Sequence, residues 1–108
     1  MAWSGSNRFG FKESWVLIYA PVGSGVYAIY SQERWLYIGE AEDMRGRLLR
    51  HLEGDDPCIA ESRPTHFAFQ SVAPQDRVAR QRELIAEYRP LCNRQAGPDR
   101  QTERPDGE

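Results

Sequence analysis

Two short apolar runs, 25–31 and 35–40, read as β-strands, and the polar stretch Ser31-Gln32-Glu33-Arg34 reads as the turn of a hairpin between them. A third strand is expected over 65–72, where Thr65, Phe67, Phe69 and Val72 are β-favouring. Helical periodicity takes over in two places. From Glu42 or Asp43 to about Glu53, Met44, Leu48 and Leu52 fall on one stripe, and Gly54 is placed to end the helix. Arg47 and His51 lie four apart on the shoulder of that stripe. From Pro74 to about Arg89, Val78, Gln81, Leu84, Ile85 and Tyr88 share an inner face, and Pro90 stops the helix. Arg77 and Arg80 fall elsewhere, mostly toward solvent. The block 13–19 is too short for periodicity to separate helix from strand; a short helix over one sheet edge is the expected form. Residues 55–64 read as loop.

A hairpin folded about Gln32 sets Tyr27 opposite Tyr37 and Gly25 opposite Gly39. Cross-strand partners share a face, so two phenols stand beside a bare glycine pair. That combination suggests a small polar site where a ligand approaches the backbone.

At 108 residues the chain is long enough for one domain with its own core. It divides into an N-terminal extension (1–24), a central domain (25–95) and a tail (96–108) rich in Gly, Pro and charge, expected to be disordered. No apolar run is long enough to span a membrane, and the first residues do not resemble a signal peptide. Cys58 and Cys92 form no CxxC pair, so they are expected as core fillers in a reduced, cytoplasmic protein. They also lack zinc spacing with His51 and His66. The net charge of −2 gives no global attraction for nucleic acid. Arg77, Arg80, Arg82 and Arg89 nevertheless gather in one helix, either as a solvated face or as a phosphate track.

The strings Gly25-Val26-Tyr27 and Tyr37-Ile38-Gly39, the helix Met44-Arg45-Gly46-Arg47-Leu48, and the ending Leu84-Ile85 … Pro90-Leu91-Cys92-Asn93 together resemble the GIY-YIG nuclease superfamily. The resemblance implies an α+β fold with a three-stranded antiparallel sheet flanked by helices. It also implies metal-dependent hydrolysis of DNA phosphodiester bonds with Mg²⁺ or Mn²⁺. Tyr27 would act as general base with Tyr37 assisting. A phenol must drop about three pKa units for that work, roughly 4 kcal/mol, which a cation and a guanidinium could supply. Arg47 would hold the scissile phosphate, His51 would share proton handling, and Asn93 would position the helix end or the phosphate. Gly25, Gly39, Arg77 and Arg80 are the candidate substrate-binding residues.

One position departs from the resemblance. Counting back from Leu84-Ile85 and from Asn93, the family's metal-binding glutamate falls on Gln81. Glu83 is about 200° round the helix and does not replace it. A carboxamide offers a hard cation one neutral oxygen, so metal affinity and cleavage are expected to be impaired. Glu40, directly after the second string, places an acid where several relatives carry a base. The alternative function is a non-catalytic nucleic-acid-binding or protein-interaction module on the same scaffold. On either function, a homodimer or a partner protein is expected to supply specificity.

Overall fold

Among the described residues four antiparallel strands make the sheet, one more than the sequence implied: β1 (Phe9–Gly10), β2 (Gly25–Tyr30), β3 (Trp35–Ala41) and β4 (His66–Ser71), in the order β1-β4-β2-β3. The helices are α1 (Glu13–Tyr19), α2 (Met44–Leu52), α3 (Pro57–Glu61) and α4 (Arg77–Tyr88), with a 3₁₀ turn at Pro74–Asp76 leading into α4. This computed structural model describes residues 8–32 and 34–93. The expectations for the first residues and for the 96–108 tail lie outside the described residues. β1 left no pattern because two residues are too few for one. It is held by pairing, Phe9 to Phe67 and Gly10 to His66, and by stacking of Phe9 on Tyr19 at 4.4 Å between ring centroids.

The hairpin register differs from a turn centred on Gln32. Ser31 N–H donates to Arg34 O at 2.9 Å, closing a four-residue loop, and Tyr30 pairs with Trp35. A bulge then lets Ile29 pair with Tyr37 and Tyr27 with Gly39. Gly25 faces Ala41 rather than Gly39. The register moves by two residues in total, so both phenols stay on one face, with Tyr37 diagonal to Tyr27.

That face is covered by α1, α2 and α3. Tyr27, Ile29 and Phe67 pack there under Val16, Met44, Leu48 and Ile59. The opposite face carries Val26, Ala28 and Ile38 against Leu84 of α4, with Trp35, Ile85 and Tyr88 alongside. Burying Leu84 alone contributes roughly 1.5–3 kcal/mol. Val78, expected inside, is 49 % exposed, because α4 begins beyond the edge of this cluster.

Asp43 caps α2, its Oδ1 accepting from Gly46 N–H at 3.0 Å. The buried stripe of α2 is Met44, Leu48 and His51; Leu52 is only half-buried. The 55–64 segment is not all loop. Asp56 accepts from Cys58 N–H at 2.9 Å with Pro57 at the first turn, which nucleates α3. Cys58 and Cys92 are joined in a disulfide, so they are not separate fillers and carry no weight as evidence for a reducing compartment. Among the described residues no helix is long and apolar enough to cross a membrane.

Candidate active site

Tyr27 projects from the middle of the sheet into the α2 side and is fully buried. Its ring lies over Gly39, where a side chain would collide with the phenol. Gly25 is likewise enclosed: a Cβ there would fall 2.6 Å from the Met44 Sδ and would meet the Gln70 carbonyl. The two glycines therefore make room for packing, and the ligand access expected at Gly25 and Gly39 is closed. Tyr37 stands beside Tyr27 with ring centroids 6.1 Å apart and is half-buried, so it is the more accessible phenol.

The Tyr27 hydroxyl lies 2.8 Å from His51 Nε2, and His51 Nδ1 lies 3.0 Å from Asp55 Oδ1. Burial raises the Tyr27 pKa well above its usual value; Tyr37 raises it further, and Arg47 offsets part of the rise. The guanidinium alone does not lower the phenol as a general base requires, because removal from water outweighs it. Burial also lowers the His51 pKa, with Asp55 opposing and Arg47 reinforcing the shift. A neutral imidazole therefore faces a protonated phenol.

Arg47 leans toward this pair from α2. Its Nε is buried with no hydrogen-bond partner among the described residues. It lines a cavity of about 470 Å³ with Arg50 and Arg77, whose wall also includes Glu40, Glu42 and Asp43. Three guanidiniums around one hollow suit a phosphate oxygen, although the three carboxylates temper the field and Arg47 Nε itself is buried beneath the wall. Arg50, on the outer side of α2, was not among the sequence candidates, and only the folded helix turns it to the cavity. Neither phenol belongs to the cavity wall, so Arg47 is the link between the two parts.

The remaining candidates are committed elsewhere. Arg77 pairs with Glu40 at 2.8 Å and donates to Ser24 Oγ at 3.1 Å, so it is half-buried rather than solvated. Glu40 is thereby neutralised by a local partner. Arg80 donates to Gln70 at 3.0 Å and to Glu83 at 2.9 Å and lies outside the cavity wall. Asn93 touches no candidate phosphate site; its amide is spent on Ile38, accepting from N–H at 2.7 Å and donating to O at 3.1 Å. Gln81 also donates to Ile38 O, at 3.1 Å.

A hard dication such as Mg²⁺ is poorly served by this donor set. Among the described residues no three His, Cys, Asp or Glu side chains gather at one point. Gln81 keeps only a neutral Oε1 free, its Nε2 being held by Ile38, and the Glu40 carboxylate is held by Arg77.

Comparison with known proteins sets this geometry in a family. The sequence profile of the GIY-YIG catalytic domain matches residues 23–94. Three crystal structures of the GIY-YIG N-terminal endonuclease domain of UvrC from Thermotoga maritima share the fold. The first, bound to magnesium as its catalytic divalent cation, has a TM-score of 0.66 and 23 % identity, covering 75 % of this chain and 94 % of that one. A point mutant with its cation has a TM-score of 0.65 and 22 % identity over 74 % and 92 % of the two chains. A second mutant gives 0.65 and 23 % over 75 % and 93 %. No curated protein sequence matches the chain. With the profile spanning both tyrosine strings, the arginine helix and the Asn93 ending, the chain belongs to the GIY-YIG family.

Proposed function

We propose that this chain engages DNA phosphodiesters as a GIY-YIG endonuclease whose cleavage is impaired at position 81. The observation that carries this reading is the unpartnered Arg47 Nε, on a side chain that lines a cavity with Arg50 and Arg77 and lies near the Tyr27–His51 pair. Arg47 holds the phosphate and offsets charge as it develops. Tyr37, the more accessible phenol, would face an attacking water, and Tyr27 would take up a proton only as its own passes to His51 Nε2. The magnesium of the UvrC domains suggests a divalent cation for this family, and Gln81 stands where its carboxylate would be.

Plasmid nicking with Mg²⁺ or Mn²⁺ tests the reading. Cleavage is expected to be weak for the chain as it stands and to rise on Gln81→Glu. No nicking by either protein would sink it.

A second reading follows from Gln81 itself, whose amide is used to pin β3. On that reading the domain is a binding module without turnover, and DNA affinity falls steeply with salt. Arg47→Ala would then reduce the salt slope by about one. In either case we assign sequence specificity to a partner protein or a second copy of the chain.

A further inference from the structure

A phenol that water does not reach loses its proton along a hydrogen bond that it already makes. Tyr27 is in that position, with His51 Nε2 at 2.8 Å. The direction of this bond is set on the other side of the imidazole. There His51 Nδ1 faces Asp55 Oδ1 at 3.0 Å, and an ionised carboxylate can only accept. Nδ1 therefore carries the ring proton, Nε2 keeps its lone pair, and the Tyr27 hydroxyl donates.

The backbone brings this contact about. Gly54 adopts φ +89°, a left-handed conformation that ends α2, and Asp55 N–H turns back to Arg50 O at 3.4 Å. The reversal keeps Asp55 beside the last turn of the helix, in reach of His51. Asp56, the next residue, is committed to capping α3. Two adjacent acids are thus divided between a structural and a chemical task.

We propose that Asp55 is a positioning residue of the site: it holds His51 in the Nδ1–H tautomer, so that Nε2 is the acceptor for the proton of Tyr27. In that step the proton passes from the phenol oxygen to Nε2. The O–H electron pair stays behind as phenolate, and the imidazolium formed is balanced by the Asp55 carboxylate. The charged and titratable groups around the ring are Asp55 and Asp56 after α2, Arg47 on α2, and Tyr27 and Tyr37 from the strands. Burial keeps the ring neutral at the outset, with Nε2 open to accept; the same burial makes the transfer uphill, and the Asp55 carboxylate offsets part of that cost. The use of the proton path rests on the nuclease reading; the direction of the hydrogen bond does not.

Long-range proton–nitrogen NMR spectra of the full chain read the tautomer directly, with His66→Gln to assign the two rings. His51 is expected as Nδ1–H in the wild type. Asp55→Ala should move the population to Nε2–H, with Tyr27 oxygen now accepting. Asp55→Asn keeps an acceptor oxygen, so it should retain Nδ1–H while lowering the pH at which His51 protonates. Nε2–H in the wild type would overturn the proposal, as would an Nδ1–H tautomer unchanged in Asp55→Ala. The Asp55 side chain is 40 % exposed, so both variants should fold. If the alanine variant does not, the Asp55→Asn spectra decide, and an unchanged His51 midpoint there overturns the proposal. Failure of Gln81→Glu to nick DNA, with the tautomer as expected, would remove the nuclease reading and leave the positioning role intact.

Discussion

Asn93 clasps Ile38 with both ends of its amide, accepting from the backbone N–H at 2.7 Å and donating to the carbonyl at 3.1 Å. Among the described residues β3 is an edge strand, so no strand satisfies these groups of Ile38, and Asn93 takes the place of one. Both bonds are buried and span 55 residues of chain. Asn93→Ala is expected to destabilise the fold by about 1–3 kcal/mol, leaving the Ile38 N–H unpaired and its carbonyl to Gln81 alone. Urea denaturation measures this, and a loss below about 0.5 kcal/mol would contradict the clasp.

Gln81 shares the Ile38 carbonyl through its Nε2. Gln81→Glu replaces that donor with an acceptor facing an acceptor, so the variant is expected to lose about 1–2 kcal/mol without metal. A carboxylate also provides the anionic oxygen that Mg²⁺ prefers. Saturating Mg²⁺ should therefore raise the melting temperature of Gln81→Glu and leave the wild type nearly unchanged. Equal shifts in both proteins would show that position 81 does not govern the ion.

Stability should fall at both ends of the pH scale for opposite reasons. Burial lowers the His51 pKa, so its contribution is complete above the unfolded value of about 6.5. It is lost as pH drops through that value toward the lower folded pKa, because the unfolded chain binds the proton first. Burial raises the Tyr27 pKa, so its contribution is complete below about 10 and is lost as pH rises beyond it. Urea midpoints against pH test both limbs. His51→Gln should flatten the acid limb alone, and an unaltered limb would place its origin elsewhere.

The Cys58–Cys92 disulfide ties α3 to the segment that carries Asn93, across 34 positions of sequence. Chain-entropy arguments put its contribution at about 3–4 kcal/mol. A reducing agent should lower the melting temperature of the wild type and have no effect on Cys58→Ser/Cys92→Ser. If the wild type melts identically with and without reductant, the bridge does not stabilise the domain.

The parts of the fold that were legible share one property: each is a contrast between two faces of a single element. Met44 and Leu48 mark α2, Leu84 and Ile85 mark α4, and the tyrosine strings mark two strands, because a buried stripe must repeat at the period of its own backbone. Local chemistry could also have exposed α3. The Asp56-Pro57 pair is a cap followed by a first-turn proline, although the neighbouring Asp55 and Gly54 made the stretch resemble loop. His51 is legible as a candidate, but its shoulder position on the α2 stripe understates its depth, for it is buried.

The chain by itself determined that there is a GIY-YIG hairpin, an arginine and a histidine one turn apart, and an amide at position 81. Spacing along a backbone is sufficient for each of these. Tertiary structure alone decided that Tyr27 is sealed over Gly39, that Asn93 and Gln81 both bind Ile38, that Arg77 answers Glu40, and that Asp55 orients His51. These depend on a bulge in the hairpin, a left-handed Gly54 and the meeting of segments 24 to 55 residues apart. The physical reason is that periodicity records how much of a residue is buried, whereas a hydrogen bond or a pKa depends on which particular atom lies next to it. The two tyrosine strings identify the family; the neighbours of Tyr27 determine where its proton can go.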